Sequence, residues 1–163
     1  MAVAEGSFEP MTFVERFAAE LVEAGMQRMA ARVFAALLAS DTGMLSAADL
    51  AERLQASPAA ISGAVRYLSQ VGMLTREREP GSRRERYRVH SDQWYETFTR
   101  RDRILARWEG TLRDGIAEVG PDSPAGRRIA ETAAFFDFLQ KEIVDLMDRW
   151  REHKSELREN GLL

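Results

Sequence analysis

Apolar residues recur along this chain first at helical spacing, then briefly with a period of two, then in sevens. From Pro10 to Glu23, Phe13, Val14, Phe17 and Leu21 lie on one helical face. Gly25 breaks that helix. Met26 to Ala39 predicts a second, largely buried helix carrying Met29, Val33, Phe34, Leu37 and Leu38. Asp41-Thr42-Gly43 is a turn signal. Ser46 to Leu54 predicts a short helix, with Ser46 as N-cap and Asp49 placed three residues on, as in a capping box. Leu50, Ala51 and Leu54 are its inner side. Gln55-Ala56 is a tight connector. Ser57 then caps another helix, with Pro58 at the first position, where the missing N–H costs no hydrogen bond. Its inner face is Ile61, Ala64, Val65, Leu68 and Val71, and Gly72 ends it.

Beyond Met73 the period changes. Residues 74–79 and 85–90 predict two strands around Pro80-Gly81-Ser82, a hairpin with a loop of about four to six residues. Tyr87 and Val89 fall on one face of the second strand, Arg84, Arg86 and Arg88 on the other. Ser91 or Asp92 opens a long helix reaching about Val119. Phe98, Leu105, Leu112 and Val119 recur in it every seven residues, with Trp94 and Trp108 beside them. The run from Gly120 to Pro124 breaks it. A last helix over roughly 125–156 keeps the same spacing through Ile129, Phe136, Ile143 and Trp150, extended by Leu157, with Leu139 and Leu146 in a second seam. Sustained sevens call for packing against another long helix. The expected architecture is mostly α with a small β-hairpin wing: N-terminal helices over 1–40, a winged helix-turn-helix over 41–91, and long C-terminal helices over 92–163.

Composition narrows the function classes. At 163 residues, 45% hydrophobic and 30% charged, the chain is of ordinary globular make-up and favours one domain, or one with an appended element. No apolar run approaches the roughly 18 residues of a spanning helix. No signal-peptide pattern opens the sequence, so a soluble cytoplasmic protein is expected. The absence of cysteine removes thiol catalysis, disulfides and thiolate metal sites. His90 and His153 stand far apart without metal-ligand spacing. With no Gly-rich phosphate loop and no nucleophile elbow, neither an enzyme nor a cofactor or metal is expected.

Charge first argues against nucleic acid and then for it. The net charge is −3, but residues 57–90 hold seven arginines against three glutamates, so +4 sits there and −7 elsewhere. No acidic residue lies between Glu52 and Glu77. The outer face of the 57–71 helix is Ser57, Ala59, Ala60, Ser62, Gly63, Arg66, Tyr67 and Gln70. Small residues near its start let the helix sit deep in a major groove, where Ser62, Arg66 and Gln70 reach base edges or phosphates. Arginines on a hairpin tip suit the minor groove. The candidate DNA-binding residues are therefore Ser46, Ser57, Pro58, Ala59, Ser62, Gly63, Arg66, Gln70, Arg83, Arg84 and Arg86.

The stretch from Ser46 to His90, SAADLAERLQASPAAISGAVRYLSQVGMLTREREPGSRRERYRVH, resembles the MarR superfamily of winged-helix transcription factors. The preceding GMQRMAARVFAALLASD, with LQAS and PGSRR following, is similar to its GbsR-type branch, that of the betaine-synthesis regulator. The likeness covers about residues 12–95, and the C-terminal helices match in pattern. It implies a homodimer, held here by Phe13, Leu112, Ile129, Phe136, Ile143 and Trp150. Such a dimer would seat two recognition helices on a pseudo-palindromic double-stranded operator and repress by occupying a promoter. Arg84 matches the family's groove-inserting arginine, but Ser82 stands where an acidic partner is common. A small-molecule effector is a further implication. An aromatic group of Phe17, Trp94, Tyr95 and Phe98 would suit a quaternary ammonium ligand, although aromatics at helical spacing more often form core. The competing class is a dimeric winged-helix interaction module that does not bind DNA.

Overall fold

The computed structural model describes residues 10–78, 81–90 and 92–163, and their side chains except at 10, 93 and 95–102. The elements run α1 (Pro10–Glu23), α2 (Arg28–Leu38), β1 (Met44–Ser46), α3 (Ala47–Leu54), α4 (Pro58–Gln70), β2 (Thr75–Arg78), β3 (Glu85–Arg88), α5 (Gln93–Val119) and α6 (Pro124–Glu159). The chain divides into two compact units between Trp94 and Tyr95.

In the first unit, α1 contributes Val14 and Ala18 to the core, with Phe13, Phe17 and Leu21 packed against it. Gly25, at φ +101°, turns the chain, and the Met26 N–H reaches back 2.9 Å to the Leu21 carbonyl. Helix α2 is the centre of the unit. Seven of its residues are buried, from Ala30 through Leu37, and it packs on α1, α3 and α4. A helix apolar on all sides needs partners on all sides, and its alanines let those partners come close. Leu38, expected inside, is exposed, because it lies at the helix end and turns away from the core. Val71 departs in the same way as the C-cap of α4.

The sheet has three strands, not the two that the hairpin pattern predicts. β1 pairs antiparallel with β3, and β3 with β2, giving the order β1-β3-β2. Three residues are too few to show a period, which is why β1 reads only as a turn and a cap. Gly43 at φ +64° makes its entry possible. A Cβ there would lie 2.9 Å from the Val89 carbonyl oxygen, while the Val89 N–H donates to the Gly43 carbonyl at 2.9 Å. Tyr87 is buried in the middle of β3, opposite Leu45 and Arg76, and burial pushes its phenol above the usual value.

The second unit consists of α5 beyond Trp94, the turn, and α6. Gly120 takes φ +88°, and Ser123 caps α6 by accepting from the Gly126 N–H at 2.9 Å. Gly126 has to be glycine, since a Cβ would come within 2.1 Å of the Gly120 carbonyl oxygen. Trp108 and Phe136 meet across the two helices, ring centres 5.8 Å apart. Yet the only buried residues α6 shows are Gly126 and Ala133. Among the described residues, no helix is long and apolar enough to cross a membrane, and no group of acidic or histidine residues could hold a metal ion.

Candidate nucleic-acid interface

The helix pair α3–α4 is built by its caps. Ser46 and Asp49 form the full capping box: the Asp49 N–H donates to Ser46 Oγ at 3.1 Å and the Ser46 N–H to Asp49 Oδ2 at 2.9 Å. The Ser46 hydroxyl also donates to Asp49 Oδ2 at 2.7 Å, so this candidate DNA contact is engaged in holding its own helix. Those bonds from Ser46, helped by Arg53 and Arg86, hold the Asp49 carboxyl below its ordinary value of 3.8. The stabilisation is therefore fully present well above 3.8 and is lost as pH falls through the lowered folded-state value. Asp49→Ala is expected to cost about 1 kcal/mol at neutral pH. In urea melts the gap to the parent protein should narrow as pH falls below the ordinary carboxylate value, whereas a gap independent of pH would remove the carboxylate from the account.

Gln55 provides the sharp turn between the helices, with a left-handed φ of 49°. Ser57 then caps α4, accepting from the Ala60 N–H at 3.2 Å, with Pro58 at the first turn. Ile61, Ala64, Val65 and Leu68 are buried beneath α4. This orients the opposite face. Ser57, Pro58, Ala59, Ser62, Gly63, Arg66 and Gln70 are all exposed, as the sequence pattern implied, while Tyr67 is half-buried.

The wing divides its arginines into two kinds. Arg88 Nε lies 2.7 Å from Glu77 Oε1, a charge contact in which the N–H is not aimed at the oxygen, and Arg88 Nη2 lies 3.3 Å from the Met44 sulfur. Arg76 and Glu85 approach to 3.9 Å. Arg86, opposite Ser46 and Glu77 in the sheet, is half-buried and lies within electrostatic reach of Asp49. These three brace the three-stranded sheet. By contrast, Arg66, Arg83 and Arg84, and Arg78 at the end of β2, are exposed and form no ion pair among the described residues. Surplus cationic charge without an internal partner is what a phosphate backbone recruits.

At the tip, the Arg84 N–H donates to Ser82 Oγ at 3.0 Å. Ser82 thus fixes the main chain at Arg84 through a hydroxyl rather than fixing its guanidinium through a carboxylate. The pairing of Glu77 with Arg88 and the reach of Arg86 to Asp49 were missed in the sequence, because cross-strand register has no local signature. At the other end of β3, Thr75 Oγ1 and His90 Nε2 are 2.9 Å apart, tying strand ends together.

Of the aromatic group, Phe17 stacks on Phe13 at 5.7 Å and Trp94 meets Phe34 edge-on at 5.4 Å. Both are packing contacts. The side chains of Tyr95 and Phe98 lie outside the described residues. Among the expected dimerisation residues, Phe13 belongs to the first unit's core rim. Leu112, Ile129, Phe136 and Ile143 are half-buried in the second unit, and Trp150 is exposed.

Comparison with known proteins agrees with this picture over most of the chain. A MarR family profile matches residues 24–85, and a profile described as MmpR5-like MarR family transcriptional regulator matches residues 92–153. The HTH-type transcriptional regulator MmpR5 of Mycobacterium tuberculosis is 26% identical over 147 residues, covering 90% of this chain and 89% of that protein. A crystal structure described as a transcriptional regulator superposes with a TM-score of 0.78 at 26% identity, over 88% of this chain and 98% of the other. The capped helix pair, the braced wing and family matches on both parts of the sequence lead to one conclusion: the chain is a winged-helix transcriptional regulator of the MarR family.

Proposed function

We propose that this regulator acts as a homodimer that binds a pseudo-palindromic double-stranded operator and represses by occupying a promoter. Helix α4 would read the major groove, with Ser57, Ser62, Arg66 and Gln70 as contacts and Ala59 and Gly63 allowing close approach. Arg83 and Arg84 would hold the minor groove or the flanking phosphates. The observation that carries this reading is the division among the basic residues of 57–90. Three arginines are engaged within the sheet, while Arg66, Arg78, Arg83 and Arg84 stand exposed without ion pairs among the described residues.

The dimer is supported by the second unit. Trp108, Phe135, Phe138, Leu146 and Trp150 are all more than two-fifths exposed on a helix pair that buries little of its own. An apolar patch of this kind marks an interaction surface, and the sevens continue through it. Within the family, the likeness of residues 25–41 to the GbsR-type branch supports an organic cation as effector. Such a ligand would shift the dimer between spacings of its recognition helices, and adding choline or betaine to the complex would then release the duplex.

The direct test uses genomic fragments selected by the purified protein. Arg84→Ala is expected to weaken binding and to lower the salt slope by roughly one for each phosphate it no longer neutralises, hence about two per dimer. An unchanged slope would place Arg84 off the DNA. Failure to select any duplex would leave the protein-interaction reading in its place.

A further inference from the structure

Most glycines of known geometry in this fold have a reason inside the chain. Gly25, Gly43, Gly72, Gly81, Gly120 and Gly161 take positive φ, and Gly126 has no room for a side chain. Gly110 and Gly115 inside α5 have neither reason, and within the arginine-rich segment 57–90 the same holds for Gly63. It lies inside α4 with ordinary helical dihedrals, and a Cβ built on it meets nothing within 4 Å. Glycine is the residue that weakens a helix interior most apart from proline, because it gives up the most backbone freedom. The fold alone would be better served by alanine here.

The location of Gly63 is the second observation. At 100° per residue, Ala59, Ser62, Gly63, Arg66 and Gln70 fall within one stripe about 100° wide, and Gly63 stands at one edge of it, three residues before Arg66. All five are exposed, and the stripe lies opposite the buried Ile61, Ala64, Val65 and Leu68. The stripe carries an unpaired guanidinium and an amide but no carboxylate. The empty space is therefore bordered by groups that suit base edges and phosphates.

Building on the DNA-binding reading above, we propose that Gly63 is a specificity-determining residue: its missing side chain admits a base-pair edge to the α4 backbone. The hydrogen-bonding side chains flank the gap, so the edge that enters makes apolar contact. A thymine 5-methyl group has the size and polarity for it. Gly63 would then set how deeply Arg66 and Gln70 reach, making one position of each half-site sensitive to a change of a single methyl group.

The test compares the parent protein with Gly63→Ala and Gly63→Leu on duplexes selected by the parent. Gly63→Ala is expected to raise Tm by a few degrees and yet to weaken binding at least about tenfold, the scale of one spoiled base contact. Gly63→Leu should weaken it further. Replacing thymines one at a time by deoxyuridine should reveal a position that matters to the parent and no longer matters to Gly63→Ala. A variant more stable than the parent cannot owe its weaker binding to misfolding. Equal affinity and equal sequence preference in parent and Gly63→Ala would overturn the inference while leaving the DNA-binding reading intact. A parent protein that binds no duplex would instead overturn that reading and give the face to a protein partner.

Discussion

Ile143→Asp combined with Trp150→Asp is expected to convert the protein to a monomer and to weaken operator binding by at least about a hundredfold. The two positions lie one heptad apart on α6, in line with Ile129 and Phe136. Ile143 lines an apolar groove with Ile104, Leu105, Trp108, Leu139, Leu146 and Met147, and Trp150 is 41% exposed. Ile143 is only half-buried within the protomer and Trp150 is exposed, so aspartate there leaves the single chain able to fold. In a dimer the same carboxylates would be driven into an apolar seam without partners, which is strongly unfavourable. The loss of affinity follows because a monomer engages one half-site and forfeits the effective concentration that joins the second half-site to the first. Sedimentation and duplex titration on the same sample measure both effects. A monomer that retains full affinity would separate DNA binding from dimerisation, and a double variant that remains dimeric would move the interface off α6.

Phe34→Ala is expected to destabilise the first unit by about 3–5 kcal/mol, the range for removing a buried aromatic ring from a packed core. Phe34 is 1% exposed on α2, the helix against which α1, α3 and α4 all pack. Its ring also meets the edge of Trp94 at 5.4 Å, a contact worth a further fraction of a kcal/mol to about 1.5 kcal/mol. The variant should lose helical signal at lower urea concentration than the parent, and its DNA binding should fall in step with the folded fraction. A midpoint close to the parent's would mean that neighbouring side chains refill the space, and that α2 is less central than its burial indicates.

How far the sequence could be read depended on the range of the interaction. Both helix caps of the DNA-binding region were legible, because Ser46 with Asp49 and Ser57 with Pro58 act within three residues of themselves. The buried side of α4 was legible for the same reason, up to Val71, where the helix ends and periodicity no longer applies. Strand β1 was not legible, since its three residues are fixed by pairing with β3 more than forty positions away in the middle of the strand. That pairing also decides the fate of the arginines. Alternation along β3 put Arg84, Arg86 and Arg88 on one face, but only register reveals that Arg88 reaches Glu77 and Met44 while Arg84 is held through its main chain by Ser82. The heptads of α5 and α6 identified the apolar stripe correctly. They could not show how little of it the chain buries, because a period marks an apolar face without saying what covers it.

The central claim, that the exposed arginines of α4 and of the wing tip are there for phosphate, is tested most directly by the salt dependence of duplex binding. Arg66, Arg83 and Arg84 from two protomers amount to six contacts, for which the logarithm of the association constant should fall with the logarithm of salt concentration at a slope of about −5. A slope near zero, or binding that survives high salt unchanged, would contradict the account.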